Sequence, residues 1–313
     1  DGSDGEKSLS RSLTIDGTAR TLALGKDLER VGGTLELSAQ DFVFASGALE
    51  IERTTGTLTL VDNTTVAASL LKVGGSGLSG FVGANGPASG VNANPDAAGL
   101  SLTGVEFGLV LASPADSAGG TDLRTWTAAK LTASSASLLG GGVASATATN
   151  VSAGLNTAGG TRNGAAASTA AKLSLSPISI TTGDGSPLSL DFAIAEQQAT
   201  GSLSLAVDGF ATLSGTVTVE KRSRTLDLSS GSTTTASVLT IGGTGLSGFA
   251  GVNPGTANAM GLALTNVGFA YVLATDELDP TRRWTTLQAT AGTAALQGGA
   301  GMSLTATNLG VSL

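Results

Sequence analysis

The 313 residues contain 46 glycines, no cysteine and no histidine, and only 13% of them are charged. Without cysteine or histidine there is no disulfide, no thiol nucleophile, no usual general base and neither of the common zinc ligands. A net charge of −8, from 16 Lys and Arg against 24 Asp and Glu, argues against nucleic-acid and anionic-membrane partners, which need a clustered basic surface.

The chain starts on Asp1 without a charged-then-apolar leader, and is read as a piece processed or cut from a longer protein. Asp1, Asp4 and Glu6 make a solvated acidic start. The charged run Lys26–Arg30 is read as about one turn of helix. Alternation then takes over: Thr34-Leu35-Glu36-Leu37, Leu49-Glu50-Ile51 and Thr57-Leu58-Thr59-Leu60 each place apolar residues on one face, the strand period. Glu52-Arg53 at a strand end reads as a surface pair of little energetic weight.

Next comes Gly74-Gly75-Ser76-Gly77-Leu78-Ser79-Gly80-Phe81-Val82-Gly83-Ala84-Asn85. It contains Gly-x-Gly-x-x-Gly after a strand, but a dinucleotide site needs a helix next. Gly83, Gly86, Pro87, Gly90 and Pro95 forbid one. Leu78 stands where a calcium-binding Gly-Gly-x-Gly-x-Asp nonapeptide has its aspartate, so that cage is incomplete. The motif is read as a glycine-rich turn holding Leu78 and Phe81 in the core. After it, Val105–Ala112 is the longest apolar stretch, far short of a membrane helix. Arg124-x-Trp126 follows a variable loop, as a core anchor or a sugar-stacking ring.

The second half repeats the first. The glycine motif returns as Gly242–Asn253 with nine of twelve positions identical. Gly33 and Gly201 set an offset of 168, Gly99 and Gly261 one of 162, Trp126 and Trp284 one of 158. The offset slips only where 86–98 faces 254–260 and in the stretch before Trp126, both loop-like in composition. Two tandem modules follow, 1–162 and 163–313, with 154–167 as a short crossing. The segment 192–200 is the best helix candidate. Asp276, Glu277 and Asp279, before Arg282-x-Trp284, are the calcium candidates, and no other cofactor is expected. A carboxylate pair such as Glu52 and Glu220 leaves catalysis formally open, but no enzyme is expected.

The fold expected is all-β, two homologous modules of mainly antiparallel strands forming a sandwich or elongated rod. A parallel β-solenoid is the alternative, disfavoured because no sub-period of 20 to 30 residues appears within a module.

The doubled Gly-Leu-Ser-Gly-Phe-x-Gly-x-Asn motif, the Gly-Leu-x-Leu-Thr-x-Val-x-Phe strand and the Arg-x-Trp position resemble the tandem modules of giant repetitive bacterial surface or secreted, adhesin-like proteins. The resemblance implies an extracellular or cell-surface, non-enzymatic structural or adhesive segment, assembling into a filament or surface layer. Its partners would be further copies of itself, neighbouring repeats or surface polysaccharide, without membrane insertion. The other reading is a carbohydrate-binding or carbohydrate-processing β-rod, with Trp126, Trp284, Arg124 and Arg282 as ligand contacts.

Overall fold

A computed structural model describes residues 9–15, 18–24, 29–39, 42–86, 94–115, 120–140, 142, 144–166, 178–191, 197–298 and 303–313. Every element among them is a strand. A hairpin, β1 (Leu9–Ile15) and β2 (Thr18–Leu24), comes first. Six strands follow: β3 (Glu29–Ala39), β4 (Val43–Thr59), β5 (Thr65–Ala84), β6 (Ala98–Pro114), β7 (Thr125–Leu139) and β8 (Ala144–Gly159). Two short hairpins, β9 (Thr161–Arg162) with β10 (Ala165–Ala166) and β11 (Ile178–Thr181) with β12 (Pro187–Leu190), lead to six more strands. These are β13 (Gln197–Val207), β14 (Ala211–Asp227), β15 (Thr233–Val252), β16 (Met260–Asp276), β17 (Arg283–Gln297) and β18 (Thr305–Ser312).

The two sets of six form a single open sheet of 12 strands in the order β3-β4-β5-β6-β7-β8-β13-β14-β15-β16-β17-β18. Every pairing is antiparallel, so the all-β antiparallel expectation holds and the parallel solenoid is excluded. The internal duplication is visible in the strand lengths: 11, 17, 20, 17 and 15 residues for β3–β7, and the same five lengths for β13–β17. The sheet is continuous where the halves meet, because β8 pairs directly with β13. The module boundary read at 162/163 falls inside the β9–β10 hairpin, and 154–159, read as part of a crossing, continues β8.

The glycine motif lies inside a strand rather than at a turn. Gly77 (φ 59°) and Gly245 (φ 60°) are left-handed in the middle of β5 and β15, beside breaks in pairing register with both neighbours. Gly104 (φ 58°), Asn150 (φ 51°) and Asn266 (φ 51°) are left-handed within β6, β8 and β16 beside a register break with one neighbour, and Asn308 (φ 54°) is left-handed within β18 without one. Except at Asn308, where the β17–β18 register is unbroken, each sits where one strand carries an extra residue as a β-bulge, which increases the local bend without ending the ladder. Glycine and asparagine are the residues that tolerate this conformation.

Phe81 and Leu246 are buried, as expected of core pegs, whereas Leu78 and Phe249 are only half-buried. The helix expected over 192–200 does not form in its described part, since 197–200 opens β13; 192–196 lie outside the described residues. Glu29 and Arg30, read as helical, instead open β3 opposite Arg53 and Glu52, and Lys26–Leu28 lie outside the described residues.

The main core sits on one face of the first set. Leu58, Leu60, Ala68, Leu70, Val110, Ala112, Trp126 and Ala128 line it, and Ile180 and Leu190 of the β11–β12 hairpin close over it. This hairpin belongs by position to the second half but packs on the first. Smaller clusters form around Phe44, Phe81 and Ala97, and around Ala236, Val238 and Ala274.

Candidate functional site: a joint, two open edges and an uncovered face

The best-defined assembly of side chains is the joint between the halves. It consists of the β8–β13 ladder, with Leu203 opposite Ala148 and Ser202 opposite Thr149, and the β11–β12 hairpin lying across β5, β6 and β7. A Cβ on Gly74 would stand 2.3 Å from the Thr181 carbonyl oxygen, so the hairpin backbone rests where any other residue would hold it off. Polar contacts fasten its flanks. Lys130 Nζ lies 2.9 Å from Asp191 Oδ1, and Arg30 donates to the Thr181 hydroxyl at 3.2 Å.

Arg30 also contacts Glu52, which Lys72 reaches at 3.1 Å. Burial raises the Glu52 carboxyl, but the hydrogen bonds and charges of Arg30 and Lys72 outweigh it and hold the group below the usual carboxylate range. Glu52 is buried, so the surface pair read from Glu52-Arg53 does not exist. Successive strand residues point to opposite faces, and Arg53 turns away toward Glu29. Glu220, the counterpart of Glu52, pairs with Arg222.

The two Arg-x-Trp positions have the same geometry and different exposure. Trp126 is 1% exposed, with the Arg124 guanidinium 5.1 Å from its ring centroid. Arg124 grips Asp122 in a two-bonded fork at 2.8 and 2.7 Å. These bonds hold Asp122 below the usual range against partial burial, and raise Arg124. Trp284 is half-buried, with Arg282 5.3 Å from its centroid and 3.1 Å from Asp276. On the opposite face of β4–β7, Arg53, Leu71, Leu111 and Thr127 help line a shallow 450 Å³ depression whose lining carries no carboxylate.

The calcium candidates do not converge. Asp276 accepts from the amides of Leu278 (2.9 Å) and Asp279 (3.2 Å) and from the Thr234 hydroxyl (2.9 Å). The Leu278 amide, then Thr234, Asp279 and the charge of Arg282, hold its carboxyl below the usual range. Glu277 accepts from Ser223, and Asp279 caps Thr281. No group of three or more metal-ligating side chains exists among the described residues. Asp1, Asp4 and Glu6 lie outside them.

Two features without an enzymatic reading remain. The sheet ends on β3 and β18, whose counterparts β13 and β8 are partners at the centre. All of β3 is exposed, including Val31 at 67%, and Val311 on β18 is 58% exposed. The second feature is the face of β15–β17, which repeats the apolar lining of the first set with no hairpin above it among the described residues. The hairpin is not among the elements expected from the sequence, although a signal for it is present: Asp16-Gly17 and Leu22 precede Asp184-Gly185 and Leu190 by the same 168 residues as the strands. No protein-family model, no curated protein and no solved structure matches the chain.

Proposed function

We propose that the chain is a non-enzymatic structural segment that extends a β-sheet edge to edge with further copies of itself, in a filament or layer at a cell surface. The observation carrying this reading is the β8–β13 ladder. It pairs the last strand of one set with the first strand of the next, and the free edges β18 and β3 are that same pair of strands. Transferred to the edges, its register sets Thr34 opposite Thr307 and Leu35 opposite Ala306. Such a contact is head-to-tail, so it propagates from copy to copy wherever the rotation between copies does not close a ring. An exposed, partly apolar edge strand is the template that monomeric proteins block with lysine, proline or short length. β3 has neither lysine nor proline and runs 11 residues. The adhesin-like motifs are the support for the cell-surface setting.

The absence of native cysteine makes the test direct. Directly opposed residues of antiparallel strands have Cα atoms about 4.5–5.5 Å apart, within the disulfide range of about 4.4–6.8 Å. Thr34→Cys and Thr307→Cys chains, mixed and mildly oxidised, should give a mixed covalent dimer, and the double variant a ladder of higher species. If the mixture forms no more dimer than a chain with Ser230→Cys in an exposed loop, the reading fails.

A further inference from the structure

We infer that the face of β15–β17 is the seat of the β1–β2 hairpin of a second copy of this chain. The inference rests on the edge-pairing reading and names the second half of the same joint. The internal joint is the precedent: the hairpin that precedes β13 reaches back across the β8–β13 ladder and lies on β5–β7. The β1–β2 hairpin precedes β3 as β11–β12 precedes β13, at the same 168-residue offset in sequence and with its pairing one residue out of step: Ser10 faces Ala23, where Ile178 faces Leu190. When β18 of one copy pairs with β3 of another, the second copy's β1–β2 stands over β15–β17 as β11–β12 stands over β5–β7.

The second face keeps the residues that the first uses. Leu226, Ala236, Val238, Val272, Ala274 and Trp284 repeat Leu58, Ala68, Leu70, Val110, Ala112 and Trp126. Leu58, Val110 and Trp126 are buried under or beside the hairpin, while Leu226, Val272 and Trp284 are only half-buried. Gly242 is the sharpest mark. Its counterpart Gly74 is held to glycine by the Thr181 carbonyl, but a Cβ on Gly242 would meet only Phe269 O at 3.6 Å. Nothing among the described residues requires glycine there by crowding; a docked hairpin backbone does.

Two departures are steric: Gly108, where a Cβ would meet Ile180 at 2.8 Å, is Ala270 in the second set, and the buried Ala128 is Thr286. The others concern charge. Arg30, Lys72 and Lys130 around the first seat are replaced by Gln198, Thr240 and Gln288 around the second. The hairpins differ in the complementary sense. No base lies in β11–β12, whereas β1–β2 has Arg11 in register with Leu22 and Arg20 with Leu13. Its alternation places Leu9, Leu13, Ile15, Leu22 and Leu24 with the two arginines in one set, and Ser10, Ser12 and Thr14 in the other. Bases that the first face supplies itself arrive at the second on the hairpin, where Glu220 stands at the position of Glu52.

The Lys130–Asp191 contact identifies the cross-link. Its counterparts are Gln288 and Ala23. Ala23→Cys and Gln288→Cys versions of the 313-residue chain, mixed and treated with a short bifunctional maleimide, should give at least tenfold more mixed dimer than either chain alone. Gly242→Ala in the Gln288→Cys chain should cut that yield about tenfold with its circular dichroism unchanged, and Gly242→Ser provides a second version. The Thr34/Thr307 disulfide is measured in parallel. Edge disulfide without the hairpin cross-link overturns this inference and leaves strand pairing standing; loss of both overturns both. A cross-link indifferent to Gly242→Ala and Gly242→Ser also overturns the seat proposed here.

Discussion

At the residue scale, the paired tryptophans show how one sequence motif acquires two energetic weights. Trp126 is enclosed by the first-set core and by Arg124, while Trp284 has the same arginine contact under an incomplete cover. Trp126→Ala should therefore cost about 3–5 kcal/mol, the usual range for a buried aromatic, and Trp284→Ala measurably less, both read from urea midpoints at unchanged slope. Glu52, Asp122 and Asp276 all have folded carboxyls held below their ordinary values. A depressed folded value means stability that is present above the ordinary carboxylate range and lost as pH falls through the folded value. Acid titration of the melting temperature should show that loss, and Asp276→Asn should flatten the acid limb while lowering stability at neutral pH. The Arg-x-Trp recurrence could be read from the chain alone. Glu52's partners could not, because cross-strand neighbours depend on a register that adjacency in sequence does not reveal.

At the scale of single strands, the row of left-handed residues is the main device. Gly77 has open space around its absent Cβ, so a substitution there meets backbone strain alone. Gly77→Ala should cost about 1–2 kcal/mol, the left-handed penalty for a residue with a side chain. Gly77→Asn should cost less, as asparagine already fills the left-handed positions Asn150, Asn266 and Asn308. Chemical denaturation of the two variants side by side checks the order. The strands themselves were legible in the alternation of 34–37, 57–60 and 216–219. The bulges were not, since a positive-φ glycine serves a turn and a mid-strand bulge equally well, and only the pairing of β4, β5 and β6 distinguishes them.

At the scale of the whole molecule, the duplication was legible because identity persists where backbone conformation is demanding and slips in connecting loops. The joint was not, because β11–β12 packs on β5, β6 and β7, strands of the other half that are remote in sequence. Assembly should respond to the edges: Leu35→Lys or Val311→Lys places charge on an exposed edge strand and should shift sedimentation toward the single chain without altering the far-ultraviolet spectrum. The simple up-and-down strand order has a mechanical consequence as well. Tension applied between β3 and β18 acts across the strands, so hydrogen bonds open one after another, as in a zipper, instead of shearing together. The β11–β12 hairpin interrupts that peeling, since it ties the start of the second set onto the middle of the first. A string of such sheets would lengthen at low force in discrete steps, each stopping at the next hairpin, and would recover its length as the strands fold back in order.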